Sequence, residues 1–238
     1  MKVWVSEKRK WAIERIDKEQ NSPIALLDDA FQHRHVLSGF QILLTDYSRP
    51  YFKDLMLPAG NLREHTTGAK RADLIVVTKC PDKLDDATKS DYIKKLKRPE
   101  SEVFFSKMTY SSLSHFNGTQ TKLETIENVV LVCGIARPEP LIQFLSKSYT
   151  VKPILFDDHH PFSEEDIKQI HQIFGNFARD KTIVVTTEKD AMRLQSFKER
   201  GQLTDTPWYV QRIAIEVDRK KEFDNKIMNY VTANKRIG

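Results

Sequence analysis

The chain has 238 residues, of which 39% are hydrophobic and 30% are charged, and 38 Lys and Arg against 33 Asp and Glu give a formal net charge of +5. This length and apolar content exclude a disordered chain and predict a globular protein of one large or two modest domains. The positive excess is compatible with a phosphate-bearing ligand, a nucleic acid or an anionic membrane, and does not choose among them.

Cysteine use and hydropathy exclude further classes. The two cysteines, Cys80 and Cys133, lie far apart, so the sequence has neither a disulfide framework nor a CxxC metal site, and it fits a reducing, intracellular location. No apolar stretch reaches the roughly 18 residues of a membrane span, and the first five residues lack the apolar core of a secretory signal. We expect a soluble or peripheral protein.

Short runs rich in β-branched residues alternate with helix-length amphipathic segments, which is typical of an α/β fold around a mostly parallel sheet. Strands are predicted at residues 2–6, 23–27, 40–46, 73–79, 128–136, 151–156, 181–187 and 208–217. Helices are predicted at residues 8–19, 61–71, 82–97, 138–148, 163–178, 188–198 and 222–234.

A proline, a β-rich piece and a Ser-rich segment interrupt this alternation from Arg98 to Gly118, as at a domain junction. We therefore expect a first domain at 1–100, a linker or hinge at 101–125 and a smaller α/β domain at 126–238. The strand at 208–217 is expected to return and pair with VFFSKMTY as a two-stranded hinge.

The first candidate site is LLDDAFQHRH, where Asp28 and Asp29 follow the predicted strand 23–27. Ligands of open α/β sheets gather at the carboxyl ends of strands, and an apolar strand ending in acids resembles the Walker B element that holds Mg²⁺. The alternative is a solvated strand end. His33 and His35 are by default loop histidines.

The second candidate is FDDHHPF, in which two histidines beside two aspartates suit either metal ligation or acid and base work. Ser163 and Asp166 predict a capping box at the start of the following helix, which accounts for part of the local polarity.

Two further segments join a turn or a strand to a helix. In LPAGNLRE, Arg63 and Glu64 fall in the first turn of the predicted helix 61–71, where an anion can bind; the alternative is a plain junction. In TTEKDA, Thr187 caps a helix, Asp190 closes its capping box, and Lys189 can meet a phosphate.

Taken in order, LLDDAFQHRHV, LPAGNLRE with the following Arg71, GIARP, FDDHHPF and TTEKDA resemble the tetraacyldisaccharide 4'-kinase family of lipid A biosynthesis. The resemblance implies a P-loop NTPase-like core with a smaller α/β domain, and transfer of the ATP γ-phosphate to the 4' hydroxyl of tetraacyldisaccharide 1-phosphate to give lipid IVA. It also implies Mg²⁺, a peripheral location at the cytoplasmic face of the bacterial inner membrane, contact with an anionic membrane surface, a monomer and no nucleic-acid partner.

The same resemblance assigns roles to individual residues. Asp28 and Asp29 match the acidic pair that holds Mg²⁺ and ATP, and Asp29, Glu64 and His159 are the expected catalytic residues. The residues expected to bind the lipid disaccharide are Gln32, His33 and Arg63. Ala30 stands where the family usually has Gly, a change that matters only if that position needs a positive φ.

One departure from the family pattern is large. No GxxxxGK[ST] stretch is present, and the nearest segment, Gly68-Ala69-Lys70, is followed by Arg71. We therefore expect a partial member that lacks the N-terminal P-loop segment, with negligible kinase activity and weak binding of Mg·ATP by this chain alone.

Two alternatives to the kinase remain. Asp158-His159-His160 spells the motif of a metal-dependent phosphoesterase of the Asp-His-His type, which Asp28, Asp29 and His33 would complete as a two-metal site. A non-enzymatic module on anionic lipid or nucleic acid would use the Lys and Arg residues, but these are scattered and lack interleaved aromatic residues.

Overall fold

The computed structural model describes residues 3–20, 24–117 and 122–234. The strands in these residues are β1 Ile42–Asp46, β2 Leu74–Thr78, β3 Val103–Tyr110, β4 Ser114–His115, β5 Asn128–Cys133, β6 Thr150–Leu155, β7 Thr182–Thr187, β8 Trp208–Gln211 and β9 Ile213–Val217. The helices are α1 Arg9–Gln20, α2 Asp86–Leu96, α3 Glu139–Leu145, α4 Glu164–Phe174, α5 Glu188–Glu199 and α6 Lys220–Ala233.

The chain divides into two units. The first contains Met1–Met108 and Ile215–Gly238, and the second contains Thr109–Ala214. The first has a four-stranded sheet in the order β1-β2-β3-β9, in which β1, β2 and β3 are parallel. The second has a five-stranded sheet in the order β4-β8-β7-β5-β6, in which only β4 is antiparallel to its neighbour. These parallel sheets confirm the predicted α/β class.

The central strands are buried along almost their whole length because both of their faces are covered. Residues 129–133 of β5 and 182–187 of β7 are buried throughout, as expected for parallel strands between layers of helices. On one face of this sheet Val130 and Val184 pack with Ile170 and Phe174 of α4, and on the other Leu131 packs with residues of α3. These buried strands therefore hold the loops that follow them in the second unit at fixed positions.

Two predicted strands are absent from the described residues. Residues 3–6 and 24–27 carry no strand, whereas residues 2 and 23 lie outside the described residues. A strand needs a hydrogen-bonded neighbour, and these segments have none among the described residues. Ile24 is 57% exposed and Leu26 87% exposed. The expectation that Asp28 and Asp29 end a buried strand is therefore wrong.

The predicted helix 61–71 is also wrong over its first half. Only Thr66–Arg71 is helical, as a 3-10 helix. The preceding backbone forms a loop, in which the N–H of Leu62 donates to Leu55 O and the N–H of Leu57 donates to Leu62 O, both at 3.0 Å. Arg63 and Glu64 consequently do not lie in the first turn of a helix.

The segment predicted as one strand at 208–217 is two strands in different sheets. The Gln211 side chain donates to the carbonyls of Ser111 and Arg212, between β8 and β9. The predicted pairing with VFFSKMTY is confirmed for β9, which is the neighbour of β3, but the two strands belong to a four-stranded sheet and do not form the predicted two-stranded hinge. Ser111 N–H donates to Arg212 O and Asp218 N–H donates to Phe105 O, so β3 and β9 run in opposite directions.

The division of the chain differs from the predicted 1–100, 101–125 and 126–238. Residues 101–125 contain β3 and β4 rather than a linker alone, and residues 215–238 belong to the first unit. Phe223 of α6 packs edge-on against Phe104 of β3, with ring centroids 5.2 Å apart. This contact explains why the C-terminal helix joins the first unit.

Candidate functional site

The acidic pair lies in an exposed turn of the first unit. Asp29 has a φ of 46°, whereas Ala30 is not among the residues with positive φ, so Ala30 needs no glycine. Oδ2 of Asp29 lies 3.6 Å from Nη1 of Arg63, and both side chains are mostly exposed. An exposed ion pair at this distance is weak, which leaves both groups accessible to a ligand.

Gln32 and His33 lie in the turn that follows. The N–H of His33 donates to Ala30 O at 2.9 Å, and the N–H of Val36 donates to His33 O at 3.1 Å. The side chains of Gln32 and His33 are exposed. The turn therefore fixes the backbone and leaves these two side chains facing solvent.

Glu64 is held by two guanidinium groups. Arg71 donates to both of its carboxylate oxygens, at 2.7 and 3.2 Å, and Arg34 donates to Oε2 at 2.7 Å. The hydrogen bond from Arg71 is the main cause that lowers the pKa of Glu64, against the opposing effect of burial. Arg71 is itself fixed, because it lies 4.6 Å from the ring centroid of Phe31 and donates to the Phe31 carbonyl.

Two ion pairs thus link the first two motifs. Asp29 pairs with Arg63, and Arg34 pairs with Glu64, so LLDDAFQHRH and LPAGNLRE meet at one place in the first unit. The sequence predicted both segments as sites, and the structure brings them together. It does so through a loop, not through the predicted strand end and helix N-terminus.

The carboxyl ends of β1 and β2 carry a pair that the sequence analysis did not single out. Lys79 Nζ lies 2.8 Å from Oδ2 of Asp46, and Ser48 donates to Oδ1 of the same carboxylate. Burial alone would raise the pKa of Asp46, but the bonds from Lys79 and Ser48 outweigh it and lower the pKa to about 2. Their position in the sequence could have indicated this pair, because Asp46 ends β1 and Lys79 directly follows β2 in a parallel sheet.

In the second unit, His159 contacts Arg193 of α5. Nη2 of Arg193 lies 2.9 Å from Nδ1 of His159, and Nε2 of His159 lies 3.8 Å from Oδ2 of Asp158. Because a guanidinium can only donate, Nδ1 is the acceptor here and Nε2 carries the ring proton in the neutral form. The ring is 73% exposed, so this Nε2–H can reach a ligand.

Asp190 of TTEKDA contacts GIARP directly and is linked to FDDHHPF through Arg193. Its fully buried carboxylate accepts from Gly134 N–H at 3.1 Å, from Thr187 Oγ1 at 2.7 Å and from Arg193 at 2.7 Å. Thr187 caps α5 as predicted, but the Asp190 carboxylate takes Gly134 N–H instead of closing a capping box. A Cβ at Gly134 would lie 2.9 Å from Asp157 O, so only glycine fits there.

His160 has a structural environment. Its Nε2 lies 2.9 Å from Oδ2 of Asp166, and its ring stacks on Phe156 at 4.5 Å and meets Phe162 edge-on. Ser163 and Asp166 form the predicted capping box of α4. His159 and His160 therefore make contacts in different directions, with Arg193 and Asp166 respectively.

The carboxylates of Asp28 and Asp29 in the first unit suit Mg²⁺ better than a metal ion whose ligands all come from the protein. Mg²⁺ is usually bound by one or two carboxylates, with waters and substrate phosphates as the other ligands. Asp28 and Asp29 offer two adjacent, exposed carboxylates. No set of three or more His, Cys, Asp and Glu side chains converges anywhere in the described part of the chain.

Comparison with known proteins gives a consistent result. A family model described as tetraacyldisaccharide-1-P 4'-kinase matches residues 1–232. The tetraacyldisaccharide 4'-kinase of Bacteroides fragilis strain YCH46 is 36% identical, in a match that covers 100% of this chain and 67% of the relative. That of Bacteroides thetaiotaomicron is 38% identical, with 98% of this chain and 66% of the relative covered. The chain spans about two thirds of the length of these relatives.

One solved structure is similar over nearly the whole chain. The crystal structure of LpxK from Aquifex aeolicus in complex with ATP superposes with a TM-score of 0.63, covering 95% of this chain and 64% of that one. The sequences are 21% identical, so this likeness establishes the fold.

Proposed function

The chain belongs to the tetraacyldisaccharide-1-phosphate 4'-kinase family, and on this premise we propose that its residues serve transfer of the γ-phosphate of ATP to the 4' hydroxyl of tetraacyldisaccharide 1-phosphate. The predicted family, and with it a phosphotransferase of lipid A biosynthesis, is confirmed at the family level. The phosphoesterase alternative finds no support among these relatives. The observation that carries the proposal is the pair of links, Asp29 to Arg63 and Arg34 to Glu64, which joins two motifs at one site.

Asp28 and Asp29 are the residues proposed to hold Mg²⁺ with ATP. When bound, Mg²⁺ neutralises charge on the phosphate oxygens and favours attack at phosphorus. The contact with Arg63 places the Asp29 carboxylate beside this guanidinium. It is weak enough for Mg²⁺ to replace Arg63 as the partner of Asp29.

Arg63, Gln32 and His33 are proposed to bind the acceptor. The guanidinium of Arg63 is 66% exposed and presents a fork that matches a phosphate group, such as the 1-phosphate of the disaccharide. Gln32 and His33 supply exposed hydrogen-bonding groups suited to sugar hydroxyls.

Glu64 is better suited to positioning than to proton transfer. A carboxylate that accepts from both Arg34 and Arg71, with a lowered pKa, stays ionised and has no proton to donate, and the lowered pKa also makes it a weak base. We assign it the role of orienting these two cations beside the acidic pair. The earlier expectation of a catalytic role is revised on this ground.

His159 is the residue of the second unit proposed for acid and base work. Arg193 fixes the ring through Nδ1, which leaves Nε2 exposed as the group that exchanges a proton or donates a hydrogen bond. Asp158, 3.8 Å from Nε2, is the acceptor that can orient this proton.

We propose that the protein works as a monomer, peripherally, at the cytoplasmic face of a bacterial inner membrane, where a lipid acceptor is available. No helix in the described residues combines the length and apolar character needed to cross a bilayer. The net charge of +5 suits an anionic membrane surface.

A chimeric protein tests the proposal. The residues of the Bacteroides fragilis kinase that have no counterpart in this chain are fused to it. Transfer of labelled phosphate from ATP to tetraacyldisaccharide 1-phosphate is then measured. We expect transfer by the chimera, and a loss of about a hundredfold or more in Asp29→Asn, the scale of losing one preorganised contact to reacting charge. The 238-residue chain alone is expected to show negligible transfer, since its sequence has no GxxxxGK[ST].

Asp91→Asn provides the matched control, because Asp91 is an exposed carboxylate on α2 of the same unit. It is expected to leave the rate within about twofold. Equal rates for the Asp29 and Asp91 variants, or no transfer by the chimera, would contradict the proposed function.

A further inference from the structure

A loop of the first unit presents five consecutive apolar residues to water. Residues 55–59, with the sequence LMLPA, are all exposed. The three largest, Leu55, Met56 and Leu57, are 63%, 43% and 60% exposed. Surface loops are normally built from Gly, Pro, Asn, Asp and Ser, and a contiguous apolar patch on a surface marks an interaction site.

The loop from Asp54 to Leu62, hereafter the apolar loop, has its own hydrogen bonds. Leu57 and Leu62 exchange bonds with the opposite side of the loop, as described above, and Gly60 N–H donates to Met56 O at 3.0 Å. The carboxylate of Asp54 accepts from the N–H groups of Leu55 and Asn61 at 2.8 and 3.2 Å. The apolar side chains are therefore displayed by an ordered loop.

Cations surround this loop. Lys53 precedes it and is exposed, Arg63 follows it, and Arg49 lies 3.2 Å from Asp54. Between positions 49 and 63 the sequence holds these three cations and one carboxylate, Asp54, which is occupied by Arg49 and by backbone N–H groups. Arg63 also has a weak, exposed contact with Asp29. Apolar side chains flanked by Lys and Arg are the composition of elements that lie in the interface of anionic membranes.

We propose that the apolar loop inserts Leu55, Met56 and Leu57 into the interfacial layer of a bilayer, while Arg49, Lys53 and Arg63 contact anionic lipid headgroups. This inference rests on the membrane location in the proposed function and adds the segment that makes the contact. The charges favour a membrane over a second copy of the chain, because a two-fold contact through this loop would bring like charges together.

Vesicle binding tests the inference. The protein is sedimented with vesicles of phosphatidylcholine and with vesicles in which part of this lipid is replaced by phosphatidylglycerol. We expect tighter binding to the anionic vesicles, reduced about tenfold or more in the variant Leu55→Ser, Met56→Ser, Leu57→Ser. The variant changes only exposed side chains, and circular dichroism verifies that it stays folded.

A matched control removes three exposed apolar side chains elsewhere, in Met192→Ser, Ile215→Ser, Met228→Ser, which start from 77%, 63% and 58% exposure. This control is expected to bind anionic vesicles within about twofold of wild type. Equal losses in both variants, or equal binding to the two kinds of vesicle, would overturn the inference.

Insertion is read directly with a fluorophore. Leu57→Cys is labelled with an environment-sensitive dye, which is selective because Cys80 and Cys133 are buried. We expect a shift to shorter wavelength on adding anionic vesicles, and none for Met192→Cys carrying the same dye.

An unshifted dye at position 57 on bound protein would refute insertion. A wild-type dimer that becomes monomeric in the triple variant would also refute it and would assign the loop to self-association. Full vesicle binding by the triple variant together with loss of acceptor binding would refute it as well. The vesicle assays contain neither ATP nor acceptor, so their outcome is independent of kinase activity.

Discussion

At the scale of single residues, Glu64 shows how a charge is fixed beside the acidic pair. Its folded-state pKa is lowered by Arg71 and Arg34. A carboxyl with a lowered pKa stabilises the fold above its unfolded pKa, about 4.3, and this stabilisation is lost as the pH falls through the folded pKa. The contribution is therefore complete at neutral pH and vanishes in acid.

Glu64→Gln is expected to lower the free energy of unfolding by about 1–2 kcal/mol at pH 7, because charge-assisted hydrogen bonds are lost. The difference from wild type should disappear as the pH falls below about 4. Urea unfolding at a series of pH values measures it, with Glu165→Gln, an exposed residue of α4, as the control. A difference that stays constant down to pH 3 would contradict the assignment.

Arg193 carries a second prediction at this scale. It is the charged partner of the fully buried Asp190 carboxylate and also holds Nδ1 of His159. Arg193→Met leaves a buried charge without its cation, so the free energy of unfolding should fall by about 3–5 kcal/mol. Lys189→Met, an exposed cation on the same helix, is expected to change it by less than about 0.5 kcal/mol.

Nitrogen NMR gives a separate readout, because the shifts of the His159 ring nitrogens report which one carries the proton. Wild type should have an unprotonated Nδ1, and Arg193→Lys, which keeps a charge beside Asp190, should mix the two tautomers. An unchanged tautomer in Arg193→Lys would mean that Arg193 does not orient the ring.

The sequence motifs predicted which residues lie together at the candidate site, but they did not predict which side chains form ion pairs there. Asp29, Arg63 and Glu64 were all singled out, yet their pairing across two segments depends on a loop that no periodicity predicts. Arg193 was missed, although its spacing of three from Asp190 on α5 places both on one helix face.

At the scale of elements, burial on both faces separates the strands that were predicted correctly from those that were not. The strands β2, β5 and β7 have apolar central runs, are almost entirely buried and lie inside their sheets. Residues 24–27 are equally apolar but have no neighbouring strand in the described residues. Composition predicts that a segment suits a strand, while pairing depends on residues far away in the chain.

Gly60 carries the prediction for the apolar loop. A Cβ at this position would lie 2.2 Å from Leu55 O, a backbone atom that cannot move without opening the loop. Gly60→Ala is therefore expected to lower the free energy of unfolding by about 1–3 kcal/mol and to speed proteolysis between positions 54 and 62. Gly175→Ala, where the nearest atoms are 3.4 Å away, is the control. Equal cleavage in wild type and Gly60→Ala would contradict this account.

At the scale of the whole molecule, the sequence predicted two domains and the pairing of the late strand with VFFSKMTY, but it did not predict that the last residues join the first unit. The run at 208–217 reads as one strand, and only the structure places its two halves in different sheets. The return is fixed by long-range contacts, in which Asp218 accepts from Phe105 N–H at 2.8 Å and from Lys89 at 2.9 Å. A separation of more than a hundred residues leaves no local signal in the sequence.

The last prediction follows from this topology. Phe223 of α6 packs against Phe104 of β3, so Phe223→Ala should destabilise the first unit by about 1–3 kcal/mol, as expected for a partly buried aromatic side chain. Hydrogen exchange measured by mass spectrometry should then show faster exchange in β2 and β3 and unchanged exchange in β5 and β7. Met192→Ala, an exposed position on α5, is the control and should leave both sheets unchanged. If β5 and β7 exchange faster by the same factor as β2, the two units unfold as one cooperative body, and α6 stabilises the whole chain rather than the unit to which it returns.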